Sequence, residues 1–167
     1  MNRKTLYVIA WAAFALLMAS TAMADAKLPA LFSDHMVLQA DKPAAIWGWA
    51  APGEKVQVTI AGQTQTATAG QDGKWQLKLA PLSAGGPHAL TVRAANRIAI
   101  QDVLVGEVWL GSGQSNMAMT VKSSANFEQE QAAARLPQVR MFSVDRNPQP
   151  APQAECKGRW EVCTPES

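Results

Sequence analysis

The chain has 167 residues, 48% hydrophobic and 17% charged, with 15 Lys and Arg against 13 Asp and Glu. A net charge of +2 with no basic stripe excludes the clustered Lys and Arg of a nucleic-acid footprint. The length allows one ordinary domain, or a small domain plus part of another.

The start, Met1-Asn2-Arg3-Lys4, is basic; Leu6 to Ala19 is apolar; Ala22-Met23-Ala24 is a small-x-small site. That order predicts a secretory signal peptide over residues 1–24, cut after Ala24, and hence a periplasmic or secreted protein. The apolar run is shorter than the roughly 20 residues of a membrane span. Loss of Arg3 and Lys4 with the leader brings the remainder close to neutral, and no second long apolar run follows.

From Leu28 to about Val103 short strand patterns alternate with turn signals. Val37-Leu38-Gln39 and Ala45 to Trp49 are strand-like, separated by Asp41-Lys42-Pro43. Lys55 to Ile60 and Gln63 to Thr68 alternate with period two around Ala61-Gly62, a tight hairpin signal. Asp72-Gly73 precedes Lys74 to Leu79, where Trp75, Leu77 and Leu79 share a face. Ala84-Gly85-Gly86-Pro87 reads as a loop, and His88 to Arg93 and Ile98 to Val103 as closing strands. About seven strands with no helical pattern between them predict an antiparallel β-sandwich, immunoglobulin-like or jelly-roll-like, over residues 25–103.

The character then changes. Val103 to Leu110 is almost continuously apolar, as in a strand buried on both faces of a parallel sheet. Gly111-Ser112-Gly113-Gln114-Ser115-Asn116-Met117 follows. Helix formers run from Ala125 to Leu136, with Asn126 as a cap and Pro137 as a stop. Val139 to Val144 is a second strand, so the pattern is that of a β-α-β unit opening an α/β domain over residues 104–167. Such a unit cannot cover its own apolar strands, which predicts a truncated domain.

A glycine turn at the end of a strand can lift a serine hydroxyl clear of the backbone. Ser115 is the candidate nucleophile, with Gly113, Gln114 and Asn116 as turn or oxyanion support. A serine needs a general base and oxyanion donors, and the only histidines are His35 and His88. The plainer alternative is a polar loop, because this is not a G-x-S-x-G elbow. Asp34 beside His35 suggests a dyad, although sequence neighbours rarely make that contact. Trp47 and Trp49 share a strand face and suit either core packing or sugar stacking. Cys156 and Cys163 suit a disulfide in an oxidising compartment, or two unpaired thiols; no histidine lies near them, so no metal site is predicted.

Four ordered stretches carry a resemblance. They are Leu31 to Gln39, Trp47 to Glu54, Asp72-Gly73-Lys74-Trp75 with Pro81-Leu82 and Ala84 to Pro87, and Asp102 to Leu110 running into Gly113 to Met117. Together they resemble the N-terminal part of the sialate O-acetylesterase family, within the SGNH-type hydrolases. The resemblance implies a β-sandwich followed by an α/β/α esterase domain. It implies metal- and cofactor-free removal of acetyl groups from a carbohydrate such as sialic acid, with Ser115 as nucleophile. It also implies a base in an Asp-x-x-His-like motif, and oxyanion donors in later motifs, that no residue up to Ser167 matches. Trp160 to Ser167 resembles the family's lead-in to its next helix. Gly111 stands where a cysteine is frequent, and Ala118 where an acidic residue is frequent. The chain alone is therefore expected to be inactive; a non-enzymatic carbohydrate-binding module and a non-functional gene fragment are the alternatives.

Overall fold

A computed structural model describes residues 24–167. The leader expected over residues 1–24 falls, but for Ala24, outside them. The described residues are mostly β with one α-helix. The strands are β1 (Val37–Gln39), β2 (Ala44–Trp49), β3 (Lys55–Ile60), β4 (Gln63–Thr68), β5 (Lys74–Leu79), β6 (Gly85–Arg93) and β7 (Arg97–Gly106). After them come α1 (Phe127–Ala133), β8 (Leu136–Val144) and β9 (Gly158–Cys163). Five strands form one sheet in the order β1-β7-β6-β3-β4, while β2 pairs with β5 and β8 with β9.

Period-two patterning builds the core. Val56, Val58 and Ile60 of β3 point inward, as do Trp75, Leu77 and Leu79 of β5. Together with Ile46 of β2 and Leu90, Val92, Ile100 and Val103 of β6 and β7 they form a single apolar cluster. Each fully buried side chain of this size contributes about 1.5–3 kcal/mol of transfer free energy. The β3–β4 hairpin turns on Ala61 and Gly62, both at positive φ (46° and 79°), which matches the right-handed twist of the strands. Gly48 pairs with Trp75. A Cβ there would strike the Lys27 carbonyl oxygen, whose residue bridges to Trp49. Only glycine lets the N-terminal segment close over β2 so tightly.

Several expectations are corrected. The five-stranded sheet is mixed rather than antiparallel, because β1 lies parallel to β7. The Asp41–Pro43 turn sends the chain into β2 and the other ladder, leaving β7 to fill the place beside β1. Gly85 to Pro87 belongs to β6, with register irregularities, rather than to a loop. The apolar run from Val103 does not continue as a buried strand to Leu110. Its strand ends at Gly106, and Trp109 and Leu110 are 88% and 92% exposed. β8 pairs antiparallel with β9, so no β-α-β unit exists among the described residues. Trp160 to Cys163 lies within β9, and a turn follows to Ser167. Asn126 does occupy the cap position of α1, but its side chain makes no capping hydrogen bond.

Cys156 and Cys163 are free thiols, not a disulfide. Gly158–Cys163 is extended, and at roughly 3.3 Å per residue a strand of this length carries its ends about 16 Å apart. A disulfide needs Cα atoms within about 7 Å.

Candidate functional site

Ser115 opens a short 3₁₀ turn, Ser115–Ala118, preceded by Gln114 in extended conformation. The Met117 N–H donates to the Gln114 carbonyl at 2.9 Å, and the Met119 N–H to the Asn116 carbonyl at 3.2 Å. These i→i+3 bonds tighten the backbone around the serine. Gly113 has φ +148°, a conformation open to glycine, and a Cβ there would press on Met117 Cγ. Gly113, Gln114, Ser115 and Asn116 are all exposed. Among the described residues the Ser115 hydroxyl has no hydrogen-bond partner; neither His35 nor His88 is bonded to it.

His35 is instead engaged elsewhere. Its Nδ1–H donates to Asp102 Oδ2 at 2.7 Å. Asp34, its neighbour, accepts the Gln101 backbone N–H at 2.7 Å, so the adjacent pair is not the dyad. Arg140 reaches the same Asp102 carboxylate with both terminal nitrogens, Nη1 to Oδ2 at 2.6 Å and Nη2 to Oδ1 at 3.2 Å. Arg140 Nη1 also lies 3.2 Å from His35 Nδ1. With Nδ1–H already donated to the carboxylate, this is two donors converging on one oxygen rather than a fourth hydrogen bond. The Arg140 guanidinium first, and then His35, hold the Asp102 carboxyl below the ordinary carboxylate range. His35 and Asp102 both sit at positive φ (69° and 55°), where His and Asp are enriched among non-glycine residues. Sequence reasoning missed Asp102 and Arg140; the one available signal was an arginine inside the apolar run Val139 to Phe142.

His88 lies within β6 opposite Val103. Trp47 packs edge-on against Phe32, with ring centroids 4.6 Å apart, and its indole N–H donates to the Ala154 carbonyl. Trp47 is thus partly buried against the core while also lining open surface. An open cleft of about 1290 Å³ is lined by residues including Trp47, Glu107, Trp109, Arg140, Phe142 and Trp160; Ser115 does not line it. Among the described residues no cluster of three His, Cys, Asp or Glu side chains is placed to hold a metal, and no helix is long and apolar enough to cross a membrane.

The mostly β fold is similar to part of a solved carbohydrate acetylesterase. A carbohydrate acetylesterase from Xanthomonas citri superposes with a TM-score of 0.82 at 37% identity, covering 85% of this chain and 33% of that protein. The sialate O-acetylesterase of Rattus norvegicus is 39% identical over 124 residues, 66% of this chain and 23% of the rat protein. That of Homo sapiens is 38% identical over 125 residues, covering 67% and 24%. No protein-family model matches the chain. The chain is a relative of the sialate O-acetylesterase family, and it spans about a quarter of the length of the curated relatives it matches.

Proposed function

We propose that this chain forms the serine-bearing part of an esterase that removes acetyl groups from an O-acetylated carbohydrate such as sialic acid. Ser115 is the nucleophile. Its oxygen attacks the acetyl carbonyl, the sugar hydroxyl leaves, and water clears the acetyl-enzyme. The observation that carries the reading is the exposed, unpartnered Ser115 hydroxyl on a glycine-held turn, in a chain whose relatives are acetylesterases. Its own backbone N–H is available as an oxyanion donor, with Gly113, Gln114 and Asn116 shaping the turn.

In this reading residues 1–24 are a secretory leader, which makes the protein periplasmic or secreted. Residues 25–103 are a β-sandwich of the immunoglobulin-like or jelly-roll-like kind. Residues 104–167 are the opening portion of an SGNH-type α/β/α domain. His35 is committed to Asp102 and His88 to a strand interior, so the base belongs to polypeptide outside these residues. By itself the chain hydrolyses no ester through Ser115. The test grafts residues 25–167 in place of the corresponding third of the Xanthomonas citri enzyme. Acetyl release from an O-acetylated sugar should survive the graft and fall at least about 1000-fold with Ser115→Ala. Undiminished release in that variant removes Ser115 from the mechanism. Ser115-dependent hydrolysis of an aryl acetate by the isolated chain overturns the claim of inactivity.

A further inference from the structure

The segment that carries Ser115 leaves the β-core after β7 and returns to it at β8. Both crossings meet the same short feature, the parallel ladder pairing Val37 to Leu104, Leu38 to Val105 and Gln39 to Gly106. At one end of that ladder Gln39 holds the departing chain. Its Oε1 accepts the Val108 N–H at 3.0 Å, and its Nε2 donates to Glu107 Oε2 at 3.1 Å. At the other end His35 and Asp102 hold the returning chain through Arg140. The His35 N–H donates to the Gln101 carbonyl and the Leu104 N–H to the Met36 carbonyl, so this end is itself pinned by backbone bonds.

We propose that the β1–β7 ladder is a bracket for the serine-bearing segment, with Arg140 its positioning residue, clamped by Asp102 and His35. Its link to catalysis rests on the reading of Ser115 given above.

The energetics favour the clamp as the dominant anchor. The Arg140 side chain is only 5% exposed, against 32% for Asp102. A guanidinium cannot shed its proton to escape a low-dielectric site. Bidentate pairing to a carboxylate fixes both distance and plane, which a single hydrogen bond does not. Arg140 Nε also donates to the Pro137 carbonyl at 2.9 Å, tying the guanidinium to the start of its own strand. Removing the carboxylate charge leaves a nearly buried cation without its counter-ion, and β8 must move outward to hydrate it. One further bond crosses near this point, from the Trp160 indole N–H to the Leu31 carbonyl at 2.8 Å. Being neutral, it is weaker than the charged pair.

The test uses the full chain with Asp102→Asn, since asparagine keeps the size and tolerates the positive φ while removing the charge. Amide hydrogen exchange in residues 136–144 and 158–163 should quicken at least about tenfold, with residues 55–60 and 88–92 unchanged. The Gly113 and Ser115 amide resonances should shift as well, a response that local support of β8 would not produce. Gln39→Ala, which frees only the departing end, should shift those two resonances and leave exchange in β8 and β9 unchanged. Unchanged exchange in β8 and β9 with Asp102→Asn, or equal acceleration in all segments, overturns the clamp. Stationary Gly113 and Ser115 resonances in both variants overturn the positioning role. None of these signals depends on acetyl release, so loss of the nucleophile reading leaves them interpretable.

Discussion

The residues up to Val105 and those after it are both rich in regular structure, yet only the first group has an interior. Every residue buried as a whole among the described residues lies between Ala26 and Val105, whereas beyond it only single groups such as the Arg140 side chain are covered. Beyond Val105 the chain still forms α1, β8 and β9, but none of their residues is buried. Backbone hydrogen bonds and local propensity are enough to draw helices and strands. They are not enough to seal an apolar face, which requires a second layer. The later region instead leans on the core through point contacts: Arg140 on Asp102, Trp160 on Leu31 and Trp47 on Ala154.

The contrast breaks most visibly under truncation. Ile46→Ala or Leu90→Ala should cost about 2–5 kcal/mol in urea unfolding, because each empties a fully buried site. Leu136→Ala, on the exposed start of β8, should change stability by no more than about 0.5 kcal/mol. Equal losses at the two kinds of position would erase the distinction. Next in size is Gly48→Ala, expected to cost about 1–3 kcal/mol because its Cβ meets the Lys27 carbonyl. Loss of the Lys27–Trp49 bridge in hydrogen exchange should accompany it.

Acid should separate the two regions. The folded-state value of Asp102 lies below that of an unfolded aspartate, through Arg140 first and His35 second. The clamp therefore contributes fully above about pH 4, where an unfolded aspartate is ionised. Its contribution fades as pH falls through the lower folded value. The Trp160 indole N–H resonance should shift in that range while core amides stay in place; a core that opens first contradicts the assignment. The smallest effect on folding belongs to Trp109→Ser and Leu110→Ser, within about 0.5 kcal/mol because both side chains already face water. Their light scattering in concentrated solution should nevertheless drop, since they remove the most exposed apolar side chains of the later region.

The strands of the core were legible one by one. Alternation in Lys55–Ile60 and Lys74–Leu79 needs no partner to be recognised, and Ala61-Gly62 announces its hairpin through the conformations such a turn demands. The turn around Ser115 was legible as well, through Gly113, whose φ of +148° suits glycine. Pairing was not legible. Nothing in Val37–Gln39 says that it will lie parallel to β7, and nothing in Val139–Val144 says that its neighbour will be antiparallel β9. The disulfide failed for the same reason, since spacing along a chain is blind to whether the residues between are coiled or extended. His35 makes the point most sharply: its sequence neighbour Asp34 bonds a backbone amide, while its true partners, Asp102 and Arg140, lie 67 and 105 residues away. The sequence alone determined local conformation and the chemistry on offer, because these depend on side chains within a few residues. Only the tertiary structure decided which strands adjoin and which charges meet, because those choices are made by chain segments far apart competing for the same buried surface.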